Sequence, residues 1–239
     1  MLVEQAGLIL GNSFRIYGTA ISDGRASLGE SFMTTAIKVE NAFIVAALCL
    51  WIVGVVFGLR TLFIYAATPG ASGNPPEKWP PATIIDAPRN LPVLLMIGHP
   101  QCPCTRASLS ELAKIMSGRQ AKVRAYVLFL KPRDFPDVWT KSDLWNTAAG
   151  IPGVTVLRDF EGQEASKFNV STSGHTLLYD GNGNLIFSGG ITAARGHAGD
   201  NQGADLVLAS IDRGNGGSTS TPVFGCPVSS SLPAAQAKP

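Results

Sequence analysis

The sequence predicts an α/β fold in which a central mixed sheet is flanked by helices, with one transmembrane helix in front of this domain. Apolar strand-like runs alternate with helix-like runs between residues 80 and 213, a pattern typical of a parallel sheet. Two late runs are joined by the tight-turn sequence "GNGN" at residues 181–184, which adds an antiparallel hairpin. Further upstream, residues 42–59 carry no charged side chain.

The membrane segment is predicted over residues 42–66, where only Arg60 carries a charge. About 20 apolar residues suffice for a helix to cross a bilayer, so a span is favoured over a buried core helix or a cleaved signal peptide. Residues 1–41 are expected to form an N-terminal extension, and Met33 is an alternative start for the anchored protein. Basic residues lie on both sides of the span, so charge does not set its orientation. Cys49, in mid-span, is expected to pack as a small apolar residue.

The segments that flank the α/β domain are rich in residues that disfavour regular structure. Residues 67–79 are expected to form a proline-rich, semi-stiff linker. Residues 214–239 are rich in Gly, Ser and Pro and are expected to form a flexible tail. Within that tail, Cys226 lies in the small apolar stretch "TPVFGCPV", which we expect to dock onto the domain at residues 80–213.

The domain itself begins with "VLLMIG" at residues 93–98, a short apolar run typical of a buried strand. Leu109, Leu112 and Met116 follow at helical spacing, and Gly118 ends that helix. The later elements, in chain order, are the strand "KVRAYVLFLK", the helix "DVWTKSDLWNTAAG", the strand "VTVLRD", the short helix "GQEASKFNV", the strands "HTLLYD" and "LIFSGGI", and the helix "GADLVLASIDRG".

Composition excludes several classes of function. The net charge is +2 and no basic stripe is present, which argues against a nucleic-acid partner. Four cysteines are too few for a disulfide scaffold, and no pair of CxxC motifs indicates a zinc ribbon. The glycine-rich residues 188–206 match neither a P-loop nor a GxGxxG motif, and no hydrolase elbow is evident.

Two of the cysteines lie at the predicted start of a helix. Cys102 and Cys104 flank Pro103, directly after the first strand of the domain. The unpaired N–H groups at a helix N-terminus favour a thiolate, which is the attacking species in disulfide exchange, and a neighbouring thiol can resolve the mixed disulfide. Their Cα atoms should lie roughly 5.5–7 Å apart, and a disulfide tolerates about 4.4–6.8 Å, so a bond between them would be strained. We hypothesise that Cys102 is the nucleophile and Cys104 the resolving thiol. The reverse assignment, and two merely packed cysteines, remain as alternatives.

The element order and the placement of these cysteines resemble the thioredoxin superfamily over residues 80–213. Pro103 and Cys104 match the end of that family's Cys-x-x-Cys motif, whereas Cys102 is one position closer than the first cysteine of the motif. The strings "HPQCPCTRASL" and "FSGGITAARGH" are similar to bacterial membrane-anchored thioredoxin-like proteins that are sometimes labelled RedB. This resemblance implies thiol–disulfide exchange without a bound cofactor, in a domain on the extracytoplasmic, periplasmic side of the membrane.

Histidines near the cysteines suggest a second chemistry. The resemblance implies a cis-proline before the fourth strand of the domain, and His175 stands there instead. An imidazole there can stabilise a thiolate, carry protons or bind a metal, or it can simply be satisfied by backbone hydrogen bonds. His99 precedes Cys102 by three residues, although the His99–Pro100 pair can also serve only to shape the loop. The alternative metal set for copper or zinc is His99, Cys102, Cys104 and Cys226. Copper carriers of the Sco type use this scaffold with a wider cysteine spacing.

We therefore expect a single-pass, membrane-anchored thiol–disulfide oxidoreductase that acts on protein or small-molecule thiols together with an unidentified redox partner. The expected supporting residues are His99, Pro100, Pro103, Thr105, His175 and Cys226. The alternatives are a copper- or zinc-binding metallochaperone-like module and a non-catalytic membrane adaptor with the same fold.

Overall fold

A computed structural model describes residues 26–71, 73–214 and 218–228. Most of the predicted N-terminal extension, and residues 215–217 and 229–239 of the predicted tail, lie outside the described residues. One structural unit ends at Gly58 and the second begins at Leu59.

The first described element is a helix of 42 residues, α1 (Ala26–Ala67). Within it, Asn41–Ala67 is a stretch of 27 residues, and none of its most apolar 18-residue window is buried. At about 1.5 Å per residue this stretch is longer than the roughly 30 Å hydrocarbon core of a bilayer. Large apolar side chains such as Phe43 and Leu50 are mostly exposed along it. The chain thus has one described helix that is apolar and long enough to span a membrane, as the sequence predicts.

Six strands form one mixed sheet in the spatial order β3-β2-β1-β4-β5-β6. Strands β1, β2 and β3 run parallel, β4 is antiparallel to both β1 and β5, and β6 is parallel to β5. The strands are β1 (Val93–Gly98), β2 (Arg124–Lys131), β3 (Val154–Phe160), β4 (His175–Tyr179), β5 (Leu185–Gly190) and β6 (Thr219–Ser220).

Helices cover both faces of the sheet, so the central strand β1 is buried throughout. Leu94 and Met96 point to one apolar cluster, and Leu95 and Ile97 to the other, as the alternation of a strand requires. Full burial of each such side chain contributes about 1.5–3 kcal/mol. The helices of the domain are α2 (Pro103–Met116), α3 (Asp137–Thr140), α4 (Asp143–Ala149), α5 (Gln163–Lys167) and α6 (Gln202–Arg213).

This is a thioredoxin-like fold preceded by an apolar helix, and the predicted mixed α/β sheet is confirmed. The parallel β1–α2–β2 unit and the antiparallel β4–β5 pair followed by α6 form its centre. The last helix begins at a side-chain cap, because the Asn201 side chain accepts a hydrogen bond from the Ala204 N–H at 2.8 Å.

The single helix predicted over residues 137–150 is wrong, because the chain forms the two short helices α3 and α4 there. The break falls at Lys141 and Ser142, whose backbone is not helical. The Ser142 hydroxyl donates a hydrogen bond to the Pro100 carbonyl at 2.7 Å, and the Thr140 hydroxyl donates one to the Leu130 carbonyl. Contacts with the rest of the domain therefore override the local helical pattern.

The proline-rich segment before the domain lies along the edge of the sheet. The Trp79 N–H donates to the Gly183 carbonyl at 2.8 Å, and the Tyr179 hydroxyl donates to the Pro76 carbonyl at 2.9 Å. The Trp79 ring meets the rings of Phe168 and Tyr179 edge to face, with centroids 5.1 Å apart in each pair. The linker boundary at residues 67–79 remains a prediction, but its later part makes these specific contacts.

Residues 218–228, which we call the strap, run from the edge strand β6 back across the domain. Val223 and Val228 are fully or almost fully buried. The strap passes so close to β5 that a Cβ on Gly189 would lie 2.2 Å from Thr221 Oγ1, and one on Gly190 would lie 2.6 Å from the Pro222 carbonyl oxygen. Glycine at these two positions of β5 is therefore what allows the strap to pack against it.

Candidate active site

The cysteine motif is positioned by a turn that connects β1 to α2. The Cys102 N–H donates to the His99 carbonyl at 3.2 Å, which closes the turn around Pro100. The His99 N–H donates to the Thr105 hydroxyl oxygen at 3.0 Å, and the Thr105 side chain is fully buried. Thr105 thus joins the end of the strand to the first turn of the helix and fixes the loop between them.

Cys102 is the N-cap residue of α2, with extended backbone at φ −100° and ψ 125°. Pro103 follows as the first helical residue, where a missing N–H costs nothing because that group has no intrahelical partner. Cys104 is the next residue, so both thiols lie at the positive end of a helix of 14 residues. The local order Cys-Pro-Cys is thus compatible with a helix start as well as with thiolate chemistry.

The fold brings a third thiol to this point. The Sγ atoms of Cys102, Cys104 and Cys226 all lie within 4.8 Å of one another. The Cys226 Sγ is 3.1 Å from the Cys102 Sγ. Cys102 is 2% exposed and Cys104 4%, whereas Cys226 is half-buried, and all three are free thiols. A cluster of three cysteines therefore forms from residues that are up to 124 positions apart.

Main-chain hydrogen bonds hold Cys226 in place. The Ser173 N–H donates to the Cys226 carbonyl at 2.8 Å, and the Cys226 N–H donates to the Ser173 hydroxyl oxygen at 2.9 Å. Two residues later, the Val228 N–H donates to the Ser171 carbonyl at 2.9 Å. The Arg195 guanidinium donates a hydrogen bond to the Gly225 carbonyl. The strap is thereby fastened on both sides of its cysteine.

Backbone packing at Gly225 is tighter still. A Cβ at this position would lie 1.8 Å from the Ser173 carbonyl oxygen, a distance that no real side chain allows. Any residue larger than glycine would therefore push this part of the strap away from Ser173.

The hydrogen bonds among the three thiols favour a negative charge on one of the three sulfur atoms. Hydrogen bonds from Cys104 and then from Cys226 hold the pKa of Cys102 far below its ordinary value, and the Ser173 hydroxyl, 3.6 Å from the Cys102 Sγ, adds to this effect. The Thr105 N–H gives a smaller contribution, although its geometry is short of a full capping hydrogen bond. The same contact with Cys102 raises the pKa of Cys104 and the pKa of Cys226. The directions of these shifts favour Cys102 as the first of the three thiols to ionise.

His99 lies beside the cysteine cluster, but its imidazole makes its contacts with Gln101 and Trp139. Its Nδ1 accepts a hydrogen bond from the Gln101 N–H at 3.3 Å, and its ring meets Trp139 edge to face at 5.4 Å. Burial lowers the pKa of His99, and the charge of Cys102 opposes this effect. Among the described residues, the three cysteines form the candidate metal-ligating group, and His99 does not belong to it.

His175 is also placed outside the cysteine cluster. It begins β4 opposite Gly190, is fully buried, and its Nε2 lies 2.9 Å from the Ser188 hydroxyl. Its Nδ1 has no hydrogen-bond partner in the described part of the chain. Burial lowers the pKa of His175 to about 4, so its imidazole is neutral at neutral pH.

A surface pocket of about 330 Å³ opens beside the motif. An ion pair between Arg106 and Asp143 lies along its wall. Its lining residues are Pro100, Gln101, Cys102, Pro103, Arg106, Asp143 and Leu144.

Sequence reasoning missed two residues of the site, Ser173 and Arg195. Ser173 lies two residues before His175, but nothing local indicates that its hydroxyl contacts a thiol. Arg195 lies in the glycine-rich residues 188–206 and contacts the strap rather than a ligand. Both roles depend on where the strap docks, and the apolar stretch around Cys226 predicts that it docks but not the position.

Comparisons with known proteins find solved structures that are similar to part of this chain but no matching sequence family. No family model matches the chain, and no curated protein sequence matches it. An uncharacterized conserved protein from Geobacillus kaustophilus aligns with 70% of this chain and 95% of its own length, at 14% identity and a TM-score of 0.52. A hypothetical protein from Sinorhizobium meliloti aligns with 58% of this chain and 79% of its own length, at 21% identity and a TM-score of 0.49.

A secreted disulfide oxidoreductase from Mycobacterium tuberculosis also resembles this chain, over 53% of this chain and 84% of its own length, at 15% identity and a TM-score of 0.38. At these identities a structural likeness concerns the fold alone. The fold and the cluster together define a thioredoxin-like domain with three adjacent thiols at a helix N-terminus. The narrower resemblance to RedB-type proteins stays a prediction.

Proposed function

We propose that this chain is a membrane-anchored thiol–disulfide oxidoreductase that acts on protein or small-molecule thiols, with Cys102 as its nucleophile. The observation that supports this most directly is the contact of the Cys102 Sγ, at the N-cap of α2, with two further thiols. Only one of the three thiols has a lowered pKa, which divides the cluster into one attacking group and two proton-bearing neighbours.

The exchange begins with attack of the Cys102 thiolate on one sulfur of a substrate disulfide. A bond forms between the Cys102 Sγ and that sulfur, the substrate S–S bond breaks, and the leaving thiolate takes up a proton. A neighbouring thiol of the cluster then loses its proton and attacks the Cys102 Sγ, which releases the second substrate thiol. The substrate disulfide has gained two electrons and two protons, and two cysteines of this chain have become a disulfide. The reverse sequence oxidises a dithiol.

The apolar stretch Asn41–Ala67 of helix α1 supports a location at a membrane. We place the thiol domain on the extracytoplasmic side, because a disulfide that it forms persists in an oxidising compartment.

A redox titration of the full chain tests this proposal. The protein is purified in detergent with Cys49→Ala, so that only Cys102, Cys104 and Cys226 remain, and is equilibrated in metal-free glutathione buffers. Acid quenching, alkylation and mass mapping then identify each disulfide. We expect a reversible disulfide that contains Cys102, and its loss in Cys102→Ser. If all three thiols stay reduced across the whole range of buffers, the chain is not an oxidoreductase.

A second candidate function is binding of Cu(I) or zinc by the three thiols. A metal held at about 2.3 Å from each sulfur requires sulfur–sulfur distances of no more than about 4.6 Å. The observed limit of 4.8 Å among the three Sγ atoms is close to this value, and thiolates are the ligands that soft metals prefer. Titration of the reduced full chain with Cu(I) or Zn²⁺ tests this candidate. Binding that is unaffected by Cys102→Ser and Cys226→Ser would exclude the cluster as the site.

A further inference from the structure

The position of the strap suggests which thiol completes the exchange. We propose that Cys226, rather than Cys104, forms the disulfide with Cys102, and that this bond fastens the strap over the site. This inference rests on the proposed exchange function and assigns its second cysteine, which the sequence motif alone assigns to Cys104.

Geometry favours Cys226 as the partner. Its Sγ lies 3.1 Å from the Cys102 Sγ, so a small movement of one side chain brings the two atoms to bonding distance. Cys104 is part of the first helical turn, two residues from Cys102. A bond between those two residues has to close a very short ring at a helix start, near the upper limit of Cα separation that a disulfide tolerates. Cys226 belongs to a separate segment that can adjust without disturbing α2.

The change in the charge of Cys102 during the reaction sets the order of the two thiolate attacks. A thiolate has no proton to donate, so while Cys102 is ionised the Cys226 thiol, 3.1 Å away, is the donor between the two sulfurs and keeps its own proton. Once Cys102 is joined to a substrate sulfur, its negative charge is gone, and with it the main cause that keeps Cys226 protonated. Cys226 can then ionise and attack the Cys102 Sγ. The resolving thiol is thus released for reaction only after the first step.

The strap also controls access. Cys102 is only 2% exposed with the strap in place, so an external disulfide reaches its sulfur when residues 224–228 lift away from Ser171 and Ser173. The oxidant is the substrate disulfide, which leaves as two thiols when the Cys102–Cys226 bond forms. That bond adds a covalent fastening to the backbone hydrogen bonds of the strap. An incoming dithiol reduces it and restores both thiols.

Cys104 has a different part in this scheme. It is buried, and it is the largest cause of the lowered pKa of Cys102. We assign it as a positioning residue that stabilises the Cys102 thiolate by a hydrogen bond. Cys104→Ala, which removes this donor, should therefore move the pH profile of Cys102 alkylation to higher pH while the Cys102–Cys226 bond still forms.

The test uses the full chain in detergent with Cys49→Ala, alone and combined with Cys104→Ser or Cys226→Ser. Each protein is mixed with oxidised glutathione, quenched with acid at successive times, alkylated and mapped by mass spectrometry. We expect the protein without either added change to form mainly the Cys102–Cys226 bond, and Cys104→Ser to form the same bond. In Cys226→Ser we expect the mixed disulfide of Cys102 with glutathione to persist at least ten times longer.

The two proposals fail in different ways. In one outcome, the protein with three cysteines forms mainly a Cys102–Cys104 bond, and Cys226→Ser resolves its mixed disulfide with glutathione as fast as that protein does. Cys226 is then not the partner of Cys102, but the proposed exchange function stands. If Cys102 takes up no glutathione in any of these proteins, exchange and the role of Cys226 both fall. The disulfide map of the protein with all three cysteines identifies the partner of Cys102 even if a serine variant folds poorly.

Discussion

Ser173 and Cys226 are joined by two hydrogen bonds, one from the Ser173 N–H to the Cys226 carbonyl at 2.8 Å and one from the Cys226 N–H to the Ser173 hydroxyl oxygen at 2.9 Å. The same hydroxyl donates to the Cys102 Sγ at 3.6 Å. One side chain therefore holds the strap and stabilises the nucleophile at once. This arrangement couples the position of the strap to the charge of the cluster.

Ser173→Ala should weaken both effects. A hydrogen bond to a charged group contributes about 1.5–3 kcal/mol, and at 3.6 Å we expect roughly the lower end of that range for the Cys102 thiolate. The midpoint of the pH profile for alkylation of Cys102 should therefore move to higher pH. Mass-mapped iodoacetamide rates measure this profile. Ser166→Ala is the matched control, because the exposed Ser166 hydroxyl donates to the Gln163 carbonyl within α5, far along the chain from the cysteine motif. An unmoved midpoint in Ser173→Ala would remove Ser173 from the site.

A second prediction concerns how many thiols ionise near neutral pH. The pKa of Cys102 lies below its ordinary value because Cys104 and Cys226 donate to it, and the pKa values of these two donors lie above theirs. With Cys49→Ala, ultraviolet absorbance and alkylation should therefore report a single thiolate per chain, and Cys102→Ser should abolish it. Two or more rapidly alkylated thiols at neutral pH would contradict this distribution of charge.

The same shifts set the pH dependence of stability. The thiolate of Cys102 stabilises the fold above the ordinary thiol pKa, and this contribution is lost as the pH falls towards the lowered value. The raised pKa values of Cys104 and Cys226 act in the opposite sense, because their contribution is lost as the pH rises above the ordinary thiol range. Alkaline unfolding of the reduced protein should therefore shift to higher pH in Cys226→Ser, measured by tryptophan fluorescence against pH.

The sequence was sufficient to predict the fold class, because apolar runs, helical spacing and a turn motif are local signals. It also indicated the cysteine pair, since Cys102 and Cys104 follow a buried strand and Pro103 is suited to a helix start. The docking of residues around Cys226 was expected from the apolar side chains of Val223, Phe224 and Val228; in the structure the two valines are buried and Phe224 is half-buried.

The remaining features depend on contacts between distant parts of the chain. The hydrogen bonds of Ser173 arise only when the strap pairs with residues 171–173, and the break at Ser142 only when its hydroxyl meets Pro100. His175 seemed from its sequence position to lie near the thiols, yet its side chain bonds Ser188 instead. Separation along the sequence does not predict which side chains meet, because these contacts are set by strand register and by how closely two backbone segments pack.

His175 gives a fourth prediction, for stability in acid. Its pKa is about 4 in the fold against an ordinary value of 6.5, so the unfolded chain binds a proton first as the pH falls. Between neutral pH and pH 5 the protein should lose about 2 kcal/mol of unfolding free energy through this group. His175→Gln should flatten that dependence in urea denaturation at the two pH values and leave glutathione exchange unchanged. The exposed His197, changed to Gln, is the control. An equally steep loss in His175→Gln would assign the acid sensitivity to other groups.

The last prediction separates access to Cys102 from the chemistry of Cys226. Gly225→Ala places a Cβ 1.8 Å from the Ser173 carbonyl oxygen, so the strap has to move away while its cysteine is retained. Alkylation of Cys102 should then be at least about tenfold faster, because local opening no longer limits the reagent. Gly150→Ala is the matched control, since the nearest atom to its Cβ is the Asn146 carbonyl oxygen at 3.4 Å, an ordinary contact. An increase with Gly225→Ala but not Gly150→Ala identifies the strap as the barrier. Equal rates in both variants and the parent would mean that Cys102 is reached by another route.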